Sequence, residues 1–346
     1  MELVAAVAAL ALLSVRFSLS DLPDFFDIAC RGDLSVISWL PHQARHGPVR
    51  STVRHRDDVS AGVNLRPVDS AEERPEPTVT PIVGGGSDIH FGESGALLTY
   101  GGYLQLPRLL GAQQLESEPP AHDELLFITI HQVYELWFQQ LLLEAETARD
   151  AMADGQLWWA KHLLHRMHVI SRVLIHQIDV LETMTPQDFL VFRQKLSPAS
   201  GFQSVQFREL EFLSGAKDPS FVRRFRGITG DERTRLNRRL AEPTIWDAFT
   251  GVLAARGLPS ETDDQVSAAL VVVARDRANH ADVWELAEAL IQHDELAAAW
   301  RARHVTMVER MIGTRTGTGG SSGAAYLSSR LSLRYYPLLW DLRSEL

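Results

Sequence analysis

From about Leu97 to the C-terminus, apolar residues recur every three or four positions, the spacing that turns one face of an α-helix toward a core. The stretch HDELLFITIHQVYELWF (122–138) opens this pattern, with Asp123 placed to cap a helix running to about residue 153. Residues 157–183 continue it at Leu163, Leu164, Met167, Ile170, Val173, Leu174, Ile178 and Leu181. Thr185-Pro186 offers an N-cap followed by proline at the first helical position and predicts a short helix through Lys195. SPASG (197–201) reads as a turn, with helix resuming over 202–213. Further helical patterns cover 243–255, 262–293 and, after a break at Asp294 or Glu295, a last run to Ile312. Strand-like alternation is nearly absent and no internal repeat is visible. The expected fold class is therefore all-α, a helical bundle domain over residues 89–346.

The first 88 residues differ. They are polar, rich in proline and glycine, and lack a sustained period, so they read as a low-complexity, disordered extension ending near Gly84-Gly85-Gly86; a start codon assigned too far upstream would give the same composition. MELVAAVAALALLSV has the length of a signal-peptide apolar region but carries Glu2 where a basic segment belongs, and it is too short to span a bilayer. The net charge of −10 argues against a nucleic-acid-binding surface. A single cysteine, Cys30, excludes a disulfide framework and any cysteine-rich metal site, and makes a reducing, cytoplasmic setting the default.

Of the 13 histidines, His162, His165, His168 and His176 share one helical segment at spacings that drift around a face, so they read as a partly solvated surface. His131 differs, because Phe127 and Phe138 flank it on an apolar stripe. His304 lies in similar surroundings, with Trp300 one turn before it and Val308 and Met311 after. Two such imidazoles on distant helices are either core histidines satisfied by carbonyls or a pair facing each other across a flat, buried cofactor such as haem. Arg193 sits within the apolar run Phe189 to Phe192 and needs an anion, either an internal acid such as Glu209 or Glu211 or the carboxylate of a ligand. GTRTGTGGSSG (313–323) is too rich in glycine and hydroxyls for helix; it lacks the phosphate-loop lysine, and reads as a connector or as a lining for a charged ligand.

Four segments, LTYGGYLQLPRLLGAQ (98–113), HDELLFITIHQVYELWF (122–138), MTPQDFLVFRQKLSPASGFQSVQFRELE (184–211) and WRARHVTMVERMIGTRTGTGGSSGAAYL (300–327), together resemble the tryptophan 2,3-dioxygenase family over about residues 97–346. The resemblance implies haem b with ferrous iron, dioxygen as co-substrate, and oxidative cleavage of the indole C2–C3 bond of L-tryptophan to N-formyl-L-kynurenine. It implies His304 as the axial iron ligand, with Trp300 on the cofactor side, and His131 as the distal, catalytic histidine near the indole N–H. Phe127 would pack on the substrate ring, Arg193 would hold its carboxylate, and Thr318 would contact its amino-acid end. Tyr100 and Tyr103 would enter a neighbouring subunit's pocket, since the family forms homotetramers with exchanged N-terminal elements. Gly101-Gly102 departs from the family pattern, which commonly has Gly followed by Asp or Asn. Three alternatives accompany this reading: a same-fold haem monooxygenase converting a substituted tryptophan, such as a β-methyl derivative, to an oxindole; a haem or gas sensor; and a helical interaction module.

Overall fold

The computed structural model describes residues 99–224 and 227–346. The expected disordered extension, the signal-peptide-like stretch at its start and the boundary at residue 88 fall outside these residues. Among the described residues every regular element is helical. Two short helices, α1 (Tyr100–Tyr103) and α2 (Leu106–Leu110), lead into α3 (His122–Ala153) and α4 (Leu157–Leu181). Next come α5 (Pro186–Phe192), continued by a 3-10 turn over Arg193–Leu196, a second 3-10 turn over Gly201–Gln203, and α6 (Val205–Ser214). Helices α7 (Pro219–Arg224), α8 (Gly230–Ala241), α9 (Ile245–Ala255) and α10 (Asp263–Arg275) precede the second 32-residue helix, α11 (Ala281–Ile312). Two short helices, α12 (Ala324–Ser328) and α13 (Pro337–Asp341), follow, the latter continued by a 3-10 turn over Leu342–Ser344.

The long helices form the frame. α4 packs along both α3 and α11, while α6 and α9 lie against α3. Leu141, Ala145, Ala160, Leu164 and Met167 fill the main core, where small residues let α3 and α4 approach closely. The apolar stripe of α4 is buried as its period predicts, apart from Val173, which faces outward. A second apolar cluster, with Ile130, Ile178, Leu181, Phe192, Met307 and Met311, closes the other end of the bundle.

Local chemistry sets most helix starts. Thr185, Ser204, Thr229, Thr244 and Thr262 each accept a backbone N–H in the first turn, and Glu232 and Asp247 complete capping boxes. The expected Asp123 cap is corrected: Ala121 occupies the cap of α3 without a side-chain bond, and Asp123 lies in the first turn, where a carboxylate suits the helix dipole. The helix expected through Lys195 tightens to 3-10 geometry at Arg193, and the one expected from 202 is interrupted at Ser204, which caps α6. Periodicity also left α7 and α8 unread.

The expected break at Asp294 is absent, because α11 runs through it. Asp294 is fully buried and accepts hydrogen bonds from Tyr335 N (2.9 Å), Tyr336 N (3.2 Å) and Trp340 Nε1 (3.0 Å). Its carboxylate thus serves the distant C-terminal segment instead of a helix start. The real break lies between α10 and α11, where the Asn279 side chain donates to both carboxylate oxygens of Asp276. His168 is corrected as well: it is buried, and Nε2–H donates to Ala289 O of α11 at 2.9 Å, while His162, His165 and His176 stay exposed.

Candidate active site

A largely apolar cavity of about 310 Å³, within the range of small-molecule sites, opens between α3, the end of α4, α5, α6, α11 and the glycine-rich segment. Phe127, His131, Tyr134 and Phe138 reach it from one face of α3, and Trp300, Arg301, His304, Val308 and Met311 from one face of α11.

His131 Nδ1–H donates to Phe127 O at 2.6 Å, and its ring packs on the Phe127 ring with centroids 4.1 Å apart. Phe127 in turn stacks on Phe189 (5.6 Å) and meets Phe192 edge-on. Burial pushes the His131 pKa down, only partly opposed by the Phe127 carbonyl and the Glu135 charge. The ring is therefore neutral near pH 7, and the Phe127 bond assigns the tautomer that leaves Nε2 as a free acceptor.

His304 stacks on Trp300 with centroids 5.0 Å apart and planes 14° from parallel. Burial first, and the nearby His131 second, push its pKa down to about 4. Its ring makes no hydrogen bond among the described residues, so a neutral lone pair remains available. Trp300 Nε1 is buried without a well-formed hydrogen bond; it approaches the Tyr134 hydroxyl, whose proton goes to Leu174 O (2.7 Å). No group of three or more His, Cys, Asp or Glu among the described residues could hold a bare metal ion. One neutral imidazole on an apolar wall fits a group that brings its remaining ligands with it, as haem does.

The polar end of the cavity is built by Arg193 and the glycine-rich segment. Arg193 makes no ion pair among the described residues: Glu209 is held by Arg235 and Arg239, and Glu211 by Arg208. The expected internal acid partner is therefore absent, and an Arg193 Nη2–H donates instead to Thr316 O. Thr318 Oγ1–H donates to Ala199 O at 2.6 Å, and Ser197 Oγ–H donates to Thr318 O at 3.3 Å. A Cβ on Gly319 would lie 2.6 Å from Ser200 Cβ, so only glycine allows this approach. The segment is thus folded onto SPASG as a lid and is no loose connector.

Phe127, His131, Arg193, Trp300, His304 and Thr318 all line this one cavity. Tyr100 and Tyr103 do not; they stand 77% and 71% exposed on α1. Buried charges that the sequence did not single out also reach the wall: Arg208, whose guanidinium lies 3.6 Å from the Phe221 ring centroid, and Arg301. Their signal was present in QFRELE and WRARH, where each arginine sits one turn from a residue already under consideration.

The family model for tryptophan 2,3-dioxygenase matches residues 86–264 and 250–346. The chain is 70% identical over 262 residues to a tryptophan 2,3-dioxygenase of Nocardioides sp. strain JS614, covering 75% of this chain and 98% of that one. It is 43% identical over 262 residues to the tryptophan 2,3-dioxygenase of Herpetosiphon aurantiacus, covering 72% and 98% of the two chains. With that of Myxococcus xanthus it shares 40% over 261 residues, covering 72% and 89%. With these matches spanning the whole described bundle, the chain belongs to the tryptophan 2,3-dioxygenase family.

Proposed function

We propose that this chain cleaves the indole C2–C3 bond of L-tryptophan with dioxygen, inserting both oxygen atoms to give N-formyl-L-kynurenine. The observation that carries the reading is one cavity holding a neutral acceptor (His131), an unpartnered neutral imidazole (His304) and an arginine without an acid partner (Arg193). Haem b held by His304, with Trp300 against the ligand ring, would supply the activation of dioxygen.

The chain's own residues do the rest. The Nε2 lone pair of His131 accepts a hydrogen bond from the indole N1–H, and Phe127 packs on the ring, so a single edge of the indole is presented. No strong protein base is needed, since the indole is itself electron-rich. Arg193 exchanges its bond to the Thr316 carbonyl for a charge-assisted contact with the substrate carboxylate. Thr318 contacts the amino-acid end from the lid, which also excludes water. Tyr100 and Tyr103, exposed in one chain, complete the site of a neighbouring copy in a homotetramer. Residues 89–346 form the catalytic domain. A cytoplasmic setting accords with the single cysteine, and no described helix is long and apolar enough to cross a membrane.

The test is turnover of L-tryptophan by haem-loaded, reduced protein under isotopically labelled dioxygen, read by mass. Two labelled atoms in the product are expected. A product carrying one labelled atom would replace this reading with monooxygenation, and a protein that binds haem but does not turn over would replace it with sensing.

A further inference from the structure

Helix α11 is held from two sides close to His304. On one side, an Arg301 Nη2–H donates to Leu333 O (2.8 Å) of the C-terminal segment. On the other, roughly 200° around the helix, Arg303 reaches the end of α4. Its Nη1–H and Nη2–H donate to the two carboxylate oxygens of Glu182, each at 2.6 Å, and an Nη2–H also donates to Asp179 Oδ1 at 2.8 Å. Arg310, two turns further along the same face, adds an Nη1–H to Glu182 Oε2 at 3.4 Å.

These acids are poorly placed for their own helix. Asp179 lies in the last turn of α4 and Glu182 caps it, where the dipole disfavours a carboxylate and favours a base, yet that turn holds no base. Their position is accounted for by α11, whose two arginines supply the cations that the end of α4 lacks. An isolated exposed ion pair contributes little. Here the contact is a planar fork within a network, and the Glu182 side chain is only 9% exposed, the arrangement that holds a fixed geometry.

The fork constrains direction as well as distance. Arg303 and Arg310 converge on Glu182 from points about 10 Å apart along α11, so the helix cannot slide without stretching one contact, and rotation would break the paired bonds of Arg303. His304 follows Arg303 directly and, with Met307 and Val308, faces the cavity from the span between the two arginines. On α4, Ile178 and Leu181 alternate with Asp179 and Glu182 and line the same cavity.

We propose that Arg303 is a positioning residue: its fork onto Glu182, backed by Asp179 and Arg310, sets the register of α11 and so the direction in which the His304 imidazole meets the iron. This rests on the haem reading of the cavity. An ion pair serving packing alone would stabilise the bundle without governing that direction.

The experiment records the iron–histidine stretching band of the full-length, ferrous haem protein by resonance Raman spectroscopy, alongside the melting temperature. Arg303→Met and Glu182→Gln are each expected to move the band to lower frequency and broaden it, as a less well directed bond would. Arg303→Lys, which keeps the charge but loses the fork, should move it in the same sense by a smaller amount. Exchanging the pair, Arg303→Glu with Glu182→Arg, should return the band to its wild-type position. A wild-type band in both single variants, with only the melting temperature lowered, overturns the proposal and leaves a packing contact. Opposite shifts in Arg303→Met and Glu182→Gln also overturn it, since they report the sign of a nearby charge, as does a band left displaced in the exchanged pair. If the single variants fail to fold, Arg303→Lys decides, and an unmoved band there is equally fatal. Folded wild type that takes up no haem, seen as a missing Soret band, removes the haem reading and the proposal with it; every other outcome leaves the haem reading standing.

Discussion

His131 and His304 show how one residue type takes different roles from its neighbours. A carbonyl at 2.6 Å fixes the proton of His131 on Nδ1, whereas His304 is left with no hydrogen bond and an indole for a neighbour. His131→Ala is expected to keep the Soret band and lower kcat by roughly ten- to a hundred-fold, the worth of one hydrogen bond at the transition state; loss of haem instead would reverse the two faces of the cofactor. His304→Ala should lose or loosen haem, read by the same band. Arg193→Ala should raise the KM for tryptophan by roughly a hundred-fold, as for truncating a buried charged contact. Since burial lowers the His131 pKa, the ring stays a neutral acceptor as pH falls through 6.5, and the acid limb of kcat/KM should lie below that value. An acid limb above pH 7 would contradict it. These residues were legible because a polar group on an apolar stripe, or an arginine in an apolar run, stands out locally. His168 and Arg301 did not stand out, because what buries them is a different helix or a tail more than thirty residues away.

At the scale of elements, capping and periodicity placed most of the helices, and the failures share a cause. Asp294 looks like a helix start because aspartate commonly is one. In the folded chain its carboxylate gathers three N–H donors from the C-terminal segment, which no local pattern encodes. Asp294→Ala would leave those donors buried and unsatisfied; a loss of roughly 3–5 kcal/mol in denaturant unfolding is expected, with Asp294→Asn losing less. The lid depends on backbone geometry. Gly323 has φ +63°, and a Cβ there would collide with the Arg315 carbonyl. Gly323→Ala should therefore displace the lid, raising the KM for tryptophan while leaving haem affinity at the wild-type level.

At the scale of the whole molecule, two more buried histidines govern behaviour in acid. His293, whose pKa burial and then Arg301 push down to about 4, shares a hydrogen bond with Ser214 Oγ at 3.0 Å. His168 is pushed down to about 3, chiefly by burial and then by His293. Both lie below the ordinary value of 6.5, so between these limits the unfolded chain binds more protons than the folded one. Stability is therefore lost as pH falls from about 6.5 toward 3–4, on the order of 3 kcal/mol for His293 alone. Melting temperature measured across that window should fall steadily, and His168→Gln should flatten the slope; a flat wild-type curve would contradict the linkage. The all-α class was legible because the helical period persists for some two hundred residues. How the helices stack was not, since it depends on which small residues of α3 and α4 meet.

The tail at residues 333–340 never touches the cavity, yet it is tied to α11 at Asp294 and again at Arg301, one turn short of His304. This segment thus braces the rod that carries His304, the residue proposed to hold the iron. With haem on His304 as proposed, loosening the contacts of residues 333–340 is expected to broaden the Soret band in a protein whose helical content is unchanged.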